Sequence, residues 1–357
     1  MIVAHIVSHL NTGGAEKLVA EMSNIMNRKG ITIKVITLFK GRGVPFDILE
    51  TKNIELIELN YDSKYNPMIA MDLYKHTKDC DIVHTHTYYA QLYASLFIAK
   101  KKLITTEHST HNNRRGKLIL KFFDYLMYAR YSKIICISRA TKESLNQWIR
   151  KTKRKSLIIH NGVDIDKYFH ASPISRKEIG VGEEEIILTC VGRFEKAKNQ
   201  EIIIKALKEI NIKAKLILVG HGQKEEELKL LVENLKLKNR VIFLKQRSDV
   251  ERILKSSDIF ILPSLWEGFG LAAVEALASG LPALLSNVDG LKEVTTNLEC
   301  DVEYFNPYDL KEIVLKTNQI IEKLQSSKKE KQLEKNNFEK YDLNNMVEKY
   351  LVTYSKN

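Results

Sequence analysis

Two glutamates, Glu267 and Glu275, stand eight residues apart on either side of a glycine-containing loop in the segment PSLWEGFGLAAVEALASGLP. The apolar run Asp258–Leu262 before this loop predicts a buried parallel strand, and the pattern after Gly270 predicts a helix. Glycines allow backbone N–H groups to approach a ligand closely, and a helix N-terminus favours a phosphate group. Because carboxylates repel phosphate, we expect the two glutamates to bind hydroxyl groups of a sugar and a ribose. The spacing alone also fits a capped turn that carries two solvated glutamates.

A pair of cations lies upstream of these glutamates. Arg193 follows the predicted strand Ile187–Val191, and Lys198 precedes a helix predicted over Gln200–Ile210. Both side chains can reach a diphosphate, for which Arg and Lys are common ligands. Taken alone, two cations near a strand end are a weak signal, since such side chains are usually solvated. In combination with the two glutamates their spacing is distinctive.

The second half of the chain contains four motifs in a fixed order, namely VGRF-x4-KN, LVGHG, DIFILPS and E-G-F-G-L-x3-E. In this order they resemble glycosyltransferase family 4, a large family of retaining nucleotide-sugar enzymes with the GT-B fold. The resemblance continues through the first half and so covers nearly the whole chain. The matching segments there are Gly13-Gly14-Ala15-Glu16, Asp81–His86, Thr106-Glu107-His108-Ser109, Ile137-Ser138 and Asn161-Gly162-Val163-Asp164. The chain departs from the family at two places. Lys245-Gln246 stands where a glycine is usual, and Asp289-Gly290 stands where two successive glycines are usual.

Strand and helix patterns alternate from end to end, which predicts an α/β protein with two doubly wound parallel sheets. The resemblance implies two facing Rossmann-like domains of the GT-B type with an inter-domain cleft. We expect an acceptor-binding domain over residues 1–165, a nucleotide-sugar-binding domain over 166–337, and a final segment over 338–357. The pattern of Phe338–Tyr354 predicts a helix, which in this family crosses back onto the first domain.

The resemblance implies a role for each matching residue of the second domain. Arg193 and Lys198 would bind the donor phosphates, and Glu275 would bind the ribose hydroxyls. Glu267 would bind the sugar, together with backbone atoms at Phe269, Gly270 and Leu271. Fixed cations at the leaving diphosphate would stabilise the charge that develops there without any reorganisation.

In the first domain the resemblance implies that amides at Gly13 and Gly14 approach the donor phosphate. It also implies that His108 contacts the transferred sugar. The expected catalytic set is therefore His108, Arg193, Lys198 and Glu267.

Two patterns in the first domain could instead hold a metal ion. His84, His86, His108 and His111 lie near the ends of two successive predicted strands, but no acidic or cysteine ligand accompanies them at a regular spacing. The segment Asp79-Cys80-Asp81 imitates the D-x-D metal motif of another glycosyltransferase fold, yet it precedes a strand and so lies at the wrong end for chemistry. We therefore expect no metal ion and no cofactor, with the nucleotide sugar as a substrate.

The 357 residues, of which 44% are hydrophobic and 28% charged, have the composition of a globular protein with two domains. The chain enters a predicted strand at Met1–Ser8 without a secretory signal, and no apolar run reaches the roughly 18 residues of a membrane span. We therefore expect a cytoplasmic protein. Four cysteines without metal-like spacing are expected to be free thiols in a reducing compartment, namely Cys80, Cys136, Cys190 and Cys300.

The positive charge of the chain is concentrated in one segment of the first domain. Residues 100–155 contain sixteen Lys and Arg and three acidic residues, a net charge of +13 against +12 for the whole chain. Within it, Asn113–Tyr131 mixes basic with aromatic and aliphatic side chains, which is typical of helices that lie on anionic lipid. The alternative is a core helix whose apolar side chains pack inward while its basic ones are solvated. Nucleic acid is a less suitable polyanion, since no module that binds it is recognisable.

Within this segment we expect three basic side chains to contact the lipid, namely Arg114, Arg115 and Lys117. Phe122 and Phe123 fit either a lipid contact or the core. Peripheral contact with an anionic membrane is the partner that this segment predicts.

These features predict a retaining glycosyltransferase that moves a sugar from a UDP- or GDP-sugar to an acceptor hydroxyl. The basic first domain favours a lipid-linked glycan at the inner face of the cell membrane, as in bacterial capsule, O-antigen or exopolysaccharide assembly. A sugar-nucleotide epimerase of similar fold is one alternative, and it would act without an acceptor. A non-catalytic polyanion-binding protein is another, although it would have no use for Glu267 and Glu275.

Overall fold

The computed structural model describes residues 1–112, 114–210, 213–296, 298–326 and 334–356, without the side chain of Lys101. The chain forms two compact units, Met1–Gly162 with Leu343–Asn357, and Val163–Asp342. Asn113, at the start of the predicted lipid-facing segment, and residues 327–333, in a charged run, lie outside the described residues. Each unit contains one sheet, and the described strands pair in parallel throughout. The predicted α/β class with two parallel sheets is confirmed.

In the sheet of the first unit, the order of the strands reverses next to the first strand of the chain. Its strands are β1 (Ile2–Val7), β2 (Thr32–Phe39), β3 (Glu55–Tyr61), β4 (Ile82–Thr85), β5 (Leu103–Glu107), β6 (Lys133–Cys136) and β7 (Ser156–Ile158). They lie in the order β3-β2-β1-β4-β5-β6-β7, so the direction of winding reverses between β1 and β4. Ligands of such sheets bind beyond the carboxyl ends of the strands, beside this switch point.

Helices connect these strands, as parallel pairing requires. They are α1 (Gly14–Arg28), α2 (Val44–Ile48), α3 (Met68–Thr77), α4 (Tyr88–Phe97), α5 (Leu118–Ala129) and α6 (Arg139–Trp148). The helix α6 begins at a side-chain cap, because the Ser138 hydroxyl accepts a hydrogen bond from the Thr141 N–H. This cap is a structural reason for the Ile137-Ser138 segment of the sequence to place a serine directly before the helix.

The central strands of the first unit are covered on both faces. Every residue of β4 and of β5 is buried, including His84, Thr106 and Glu107. Parallel sheets are buried in this way because their helices pack on both sides. Polar side chains in these strands therefore need partners inside the protein.

The sheet of the second unit repeats the arrangement. Its strands are β8 (Ile186–Val191), β9 (Ala214–Val219), β10 (Val241–Leu244), β11 (Ile259–Leu262), β12 (Ala283–Ser286) and β13 (Val302–Phe305). They lie in the order β10-β9-β8-β11-β12-β13, so the switch point falls between β8 and β11. The segments with Arg193 and Glu267 follow these two strands.

The helices of the second unit pack an apolar core against both faces of its sheet. They are α7 (Ile165–Phe169), α8 (Gln200–Glu209), α9 (Glu225–Asn234), α10 (Val250–Lys255), α11 (Leu271–Ala278), α12 (Asp289–Thr295) and α13 (Leu310–Ser326). The helix that carries Glu275 is α11.

The last helix, α14 (Leu343–Ser355), belongs to the first unit, where Leu343, Met346 and Val347 join the core. The prediction of one helix over Phe338–Tyr354 is wrong at its start. Lys335–Tyr341 is a 3-10 helix, and Asp342 after it is extended. The Tyr341 carbonyl accepts a hydrogen bond from the Val163 N–H, so this stretch pairs with another segment of the second unit instead of continuing a helix.

Two further properties bear on the sequence predictions. In the described part of the chain, no helix is both long and apolar enough to cross a membrane. The four cysteines are free, with Cys80, Cys136 and Cys190 buried.

Candidate functional site

At the switch point of the second unit, the loop after β8 is tied to the loop after β11. The Leu265 N–H donates to the Ala197 carbonyl at 2.8 Å. The Ser286 hydroxyl, at the end of β12, donates to the Ser264 carbonyl at 2.6 Å. These bonds hold Lys198 and Glu267 in place, since Lys198 directly follows Ala197 and Glu267 lies two residues after Leu265.

Lys198 and Glu267, both in the predicted catalytic set, form an ion pair. Lys198 Nζ lies 2.5 Å from Glu267 Oε2, and the Ser264 hydroxyl donates to the same oxygen at 3.2 Å. Their side chains are 21% and 16% exposed, so a ligand can still reach them. An ammonium group beside a carboxylate offers both a ligand for a phosphate oxygen and an acceptor for a sugar hydroxyl.

Asn199 gives Lys198 its position. It adopts the left-handed conformation, with φ of 50°, directly before α8. Its side-chain amide donates to the Pro307 carbonyl at 3.0 Å, which anchors the turn. Asn tolerates this conformation better than most residues, which accounts for the Lys-Asn pair of the motif.

Arg193 follows β8 and is the most accessible of the predicted site residues in this unit. Its side chain is 57% exposed and lies 3.1 Å from Glu195. Its carbonyl accepts a hydrogen bond from the Gln200 side chain at 3.0 Å, so the backbone is fixed while the guanidinium is not. The arrangement allows Arg193 to exchange its partner Glu195 for an anionic ligand.

Two glycines allow the glutamate loop to fold. Gly270, immediately before α11, has a φ of 87°, and an added Cβ would lie 2.4 Å from Leu291 Cδ2. A Cβ on Gly290 would lie 2.2 Å from the Glu267 carbonyl oxygen. Gly290 therefore provides the close approach, and Asp289 is the first residue of α12. Leu271 opens α11, and amides in the first turn of a helix have no partner within it.

Glu275 and Phe269 are both buried, with 7% and 1% of their surfaces exposed. The ring of Phe269 packs edge-on against Tyr341, with 5.5 Å between the ring centres, so only its backbone can serve a ligand. Glutamate is rarely buried to this extent unless it is paired. Since Glu267 is ion-paired and Glu275 is buried, the alternative of two solvated glutamates is wrong.

In the first unit, the glycine loop precedes α1, with Gly13 at the N-cap. A Cβ on Gly13 would lie 2.3 Å from Glu16 Oε2, so the Glu16 carboxylate lies against this loop. His9 Nδ1 lies 3.9 Å from the other oxygen of Glu16. The predicted amides at Gly13 and Gly14 therefore have an acidic neighbour at the helix N-terminus.

His108 follows β5 and ends a row of three imidazoles. His86 Nδ1 lies 3.3 Å from His108 Nε2, and His86 Nε2 lies 3.0 Å from His5 Nδ1. Burial lowers the pKa of His5 to about 3 and that of His108 to about 4, and it also holds the pKa of His86 well below its usual value. All three rings are therefore neutral at physiological pH.

His84 lies beside this row but is held by hydroxyl groups. Its Nδ1 lies 2.6 Å from the Tyr354 hydroxyl and its Nε2 lies 2.8 Å from the Thr106 hydroxyl. Among the described residues, His5, His84 and His86 are close enough to share a metal ion. Both nitrogens of His84 are engaged, however, so His84 would have to give up a hydroxyl partner to bind a metal ion. Its ring lies 4.1 Å, centre to centre, from that of His86, with 34° between the two planes.

Glu107, next to His108, is a residue whose importance sequence reasoning missed. One of its oxygens accepts hydrogen bonds from Gln91 and from the Tyr128 hydroxyl, both at 2.7 Å. Arg115 lies 3.8 Å from the other oxygen. A buried carboxylate needs such partners. This network fixes the end of β5, directly before His108.

The prediction that Arg114 and Arg115 face lipid is wrong. Arg114 is 15% exposed, lies 2.5 Å from a carboxylate oxygen of buried Asp124 and stacks over the ring of Tyr88. Arg115 donates to the Thr110 carbonyl and faces Glu107. Helical periodicity does not predict this, because both arginines precede α5 in the chain. Arg114 folds back onto Asp124 of α5, whereas Arg115 contacts Thr110, Ser144 and Glu107.

The alternative of a core helix is also wrong, because α5 presents its apolar side chains outward. The exposed large apolar residues of this helix are Leu118 (80%), Ile119 (72%), Phe122 (61%), Phe123 (53%), Leu126 (48%) and Tyr125 (38%). Lys117 and Lys121 are exposed beside them. Lys151, in a basic 3-10 helix over Arg150–Arg154, donates to the Tyr125 hydroxyl at 2.9 Å. We call these exposed residues of α5 the α5 face.

A cavity of about 500 Å³ opens in the first unit beyond the ends of β1, β2 and β3. It is lined by Ser8, His9, Phe39, Asp62, Ser63, Lys64, Tyr65 and Tyr89. The Lys64 ammonium lies 5.3 Å from the ring centre of Tyr65 and 5.9 Å from that of Tyr89. Sequence reasoning missed this cavity, because its lining comes from three strand ends and from α4.

Comparison with known proteins places the chain in a family. A family model described as glycosyl transferases group 1 matches residues 172–340, and one described as Glycosyltransferase Family 4 matches residues 12–167. A UDP-Gal:alpha-D-GlcNAc-diphosphoundecaprenol alpha-1,3-galactosyltransferase of Escherichia coli is 31% identical over 227 residues, which are 59% of this chain and 58% of that protein. The N-acetyl-alpha-D-glucosaminyl L-malate synthase of Bacillus anthracis is 27% identical over 310 residues, which are 81% of this chain and 80% of that protein.

Among solved structures, the Anabaena protein HepE, in complex with UDP and glucose, superposes with a TM-score of 0.84 over all of both chains at 21% identity. At this identity the similarity establishes the fold. The two family models together match nearly the whole chain. The chain belongs to glycosyltransferase family 4 and has the GT-B fold.

Proposed function

We propose that this protein transfers a hexosyl group, with retention at the anomeric carbon, from a UDP-sugar to a hydroxyl group of a lipid-linked glycan. The observation that carries the proposal is the Lys198–Glu267 ion pair at the switch point of the second unit. It combines a cation for the diphosphate with an acceptor for sugar hydroxyls, directly before the N-terminus of α11. A nucleotide sugar needs both in the same place.

The donor is assigned to the second unit. Lys198 and Arg193 bind the diphosphate, Glu267 and the first amides of α11 bind the sugar, and Glu275 binds the ribose hydroxyls. UDP is preferred over GDP because the E. coli relative is named for a UDP-sugar and HepE was solved with UDP. His108 and the Gly13–Gly14 loop keep the roles that the family resemblance implies, namely contact with the sugar and with the donor phosphate.

During transfer, the bond between the anomeric carbon and the diphosphate oxygen breaks, and a bond to the acceptor oxygen forms on the same face. The acceptor proton passes to an oxygen of the departing diphosphate. Arg193 and Lys198 stabilise the negative charge that appears on this group, and fixed cations do so without reorganising.

The acceptor is assigned to the cavity of the first unit. Its Tyr65 and Tyr89 rings offer faces for the apolar side of a sugar ring, and Asp62 and Ser63 offer partners for hydroxyls. Lys64 supplies the positive charge that a phosphate-linked acceptor needs. The volume lies within the range of about 300–1,000 Å³ that is usual for ligand pockets.

Peripheral contact with an anionic membrane follows from the α5 face. Exposed Leu, Ile and Phe side chains beside Lys117, Lys121 and the basic 3-10 helix match the composition of helices that lie in the lipid interface. An exposed apolar patch of this kind is unusual on a protein surface without a partner. A membrane at this face would also hold a lipid-linked acceptor close to the enzyme.

The proposal is tested with a matrix of donors and acceptors. UDP- and GDP-sugars are incubated with undecaprenyl-diphosphate-linked N-acetylglucosamine, with L-malate, or with no acceptor, and the products are separated. We expect a new disaccharide lipid with the α-linkage of the donor. A malate glycoside would favour the chemistry named for the B. anthracis relative, and a changed sugar nucleotide without an acceptor would favour an epimerase. Either result, or an inverted linkage, contradicts the proposal.

A further inference from the structure

The amino ends of β5, β6 and β7 lie side by side, at the edge of the first sheet opposite to the carboxyl ends where ligands bind. Their register fixes this, because Ile104 pairs with Lys133 and Ile134 pairs with Ser156. Basic segments lead into the three strands, namely the 3-10 helix Lys100–Lys102, Lys133 itself, and the 3-10 helix Arg150–Arg154 with Lys155. They contain nine of the sixteen Lys and Arg of residues 100–155. We call these nine residues the basic edge.

Carboxylates do not neutralise the basic edge. In the part of the chain that the structure describes, none of its side chains forms an ion pair. Two of the three acidic residues of the segment, Glu107 and Asp124, are buried and face the two arginines before α5. The third, Glu143, is exposed on α6. Elsewhere on this unit a lysine such as Lys29 has a carboxylate partner, Glu348. A solvated surface normally mixes both signs of charge, so a surface of one sign indicates a partner of the other.

Lys155 shows how closely these cations are grouped. Its ammonium group donates to the Tyr131 carbonyl at 2.6 Å and also to the Tyr128 carbonyl, which joins the basic edge to the end of α5. Burial, together with the positive charges of Lys100 and Lys151, lowers the pKa of Lys155 to about 8. Like charges from two separate segments of the chain therefore repel one another here, and a bound anion relieves that repulsion.

Exposed apolar side chains adjoin the basic edge. Leu96 and Phe97, at the end of α4, are each 55% exposed. Arg130, which precedes β6, ties this end of α4 to the strand starts, because its guanidinium donates to two of the last carbonyls there. On the other side Lys151 donates to the Tyr125 hydroxyl of α5 at 2.9 Å. The basic edge is therefore continuous with the α5 face.

We propose that the basic edge is a docking surface for the phosphate headgroups of an anionic bilayer, separate from the α5 face, which supplies the apolar contact. The lipid partner rests on the membrane contact proposed above, whereas the position and charge of the edge do not. A bilayer accepts cations at its headgroups and apolar side chains below them, whereas a nucleic acid duplex would leave Leu96 and Phe97 in water. Each Lys or Arg near an anionic surface changes the partition coefficient about fivefold.

The test removes three exposed cations of the edge, and its matched control removes the same charge from exposed positions of the second unit. The edge variant is Lys100→Ser, Lys153→Ser and Arg154→Ser. The control variant is Lys177→Ser, Lys208→Ser and Lys311→Ser. Co-sedimentation is measured on the full chain with phosphatidylcholine vesicles, with and without phosphatidylglycerol, at low and at physiological salt. We expect the edge variant to bind anionic vesicles about a hundredfold more weakly and with a flatter salt dependence, and the control to stay within about twofold.

Acetylation of lysine amines gives a second readout, on the unaltered chain. Vesicles that contain phosphatidylglycerol should slow the acetylation of Lys100 and Lys153, because a docked bilayer shields these amines from the reagent. The same vesicles should leave Lys177 and Lys311 of the second unit unchanged. Mass spectrometry of the digested protein measures all four sites in one sample.

An edge variant that binds anionic vesicles as tightly as its control would overturn the proposal. Equal acetylation of Lys100 and Lys153 with and without vesicles would do so too, even if the variant failed to fold. Tighter binding to a DNA duplex than to vesicles of equal phosphate concentration would overturn the lipid assignment. If vesicle binding requires the edge but no sugar is transferred from any donor, the proposed enzymatic function is wrong and the docking surface stands.

Discussion

At the scale of single residues, the proposed donor site depends on charges that the protein pairs with one another. Lys198 has Glu267 as its partner, and Arg193 has Glu195. The first pair is partly buried and also accepts a hydrogen bond from the Ser264 hydroxyl, whereas the second is exposed. An exposed pair is worth little, so Arg193 loses almost nothing when a ligand replaces Glu195. Lys198 is instead held in place beforehand.

Removing either cation should impair transfer. We expect Lys198→Ala and Arg193→Ala each to lower kcat/KM by the equivalent of about 2–4 kcal/mol, the usual scale for one fixed electrostatic group. Lys198→Ala should be the more severe, because it also leaves the Glu267 carboxylate without its cation. Lys196→Ala is the matched control, since this exposed lysine is in the same 3-10 turn. Near-normal rates in both folded variants would contradict the phosphate assignment.

The two glutamates should separate by the part of the donor that they bind. Glu275→Gln should weaken binding of UDP itself, because Glu275 is assigned to the ribose. Glu267→Gln should spare UDP and weaken the complete UDP-sugar. Thermal shifts with UDP and with UDP-sugars measure both, because a ligand stabilises the folded protein according to its affinity. Equal effects on the two ligands in both variants would contradict this division.

At the scale of elements, α5 reverses the usual distribution of side chains. Its inner face carries Asp124 and Tyr128, which bind Arg114 and Glu107, while its phenylalanines point outward. The sequence alone shows that this helix carries both charged and aromatic side chains. It does not reveal which face is buried, because the partners of the inner face come from β5 and from the segment before the helix.

The α5 face should bind lipid through its apolar side chains. We expect the double variant Phe122→Ser and Phe123→Ser to abolish co-sedimentation with vesicles that contain phosphatidylglycerol. Lys117→Ser with Lys121→Ser should weaken it and make it less salt-dependent, since exposed charges are screened beyond about 8 Å at physiological ionic strength. Leu230→Ser is the matched control, because Leu230 is an equally exposed apolar residue of the second unit. Equal binding to neutral and anionic vesicles would contradict the proposal.

Arg114 should behave differently from these lysines. Arg114→Ser leaves Asp124 buried without its cation, and breaking a buried ion pair costs about 3–5 kcal/mol. We therefore expect a lower urea midpoint for unfolding, with vesicle binding unchanged in the protein that remains folded. Lys117→Ser, three residues further on and exposed, should leave the midpoint unchanged. If Arg114→Ser were stable but no longer bound vesicles, Arg114 would contact the lipid, and its assignment to a buried ion pair would be wrong.

At the scale of the whole molecule, the sequence predicts local secondary structure better than it predicts contacts between residues that are far apart in the chain. The strands, the glycine loop before α11 and the Lys-Asn turn follow from short-range patterns and were predicted close to their observed limits. The Lys198–Glu267 pair joins positions 69 residues apart, and His5 meets His86 across 81. Such pairs depend on the order of strands in the sheet, which periodicity does not encode. The ordered family motifs supplied part of that information, and only for positions within them.

The connectivity of the units gives a last prediction. The second unit, Val163–Asp342, is one continuous stretch with its own core, so we expect it to fold alone and to bind UDP in a thermal-shift assay. The fragment Met1–Gly162 lacks α14, whose Leu343, Met346 and Val347 are buried in the core of the first unit. Such a side chain contributes about 1.5–3 kcal/mol when it is buried. We therefore expect this fragment to unfold or aggregate by itself.

Restoring α14 should rescue the first unit. The Gly162 N–H lies 3.1 Å from Met346 Sδ, so a short Gly/Ser linker can join Gly162 to Leu343–Asn357. We expect this joined chain to be monomeric and to melt cooperatively. Replacing Val347 with Asp in the joined chain should abolish the rescue, because Val347 is fully buried. A Met1–Gly162 fragment that is folded without α14, or a joined chain no more stable than the fragment, would show that α14 is dispensable for this core.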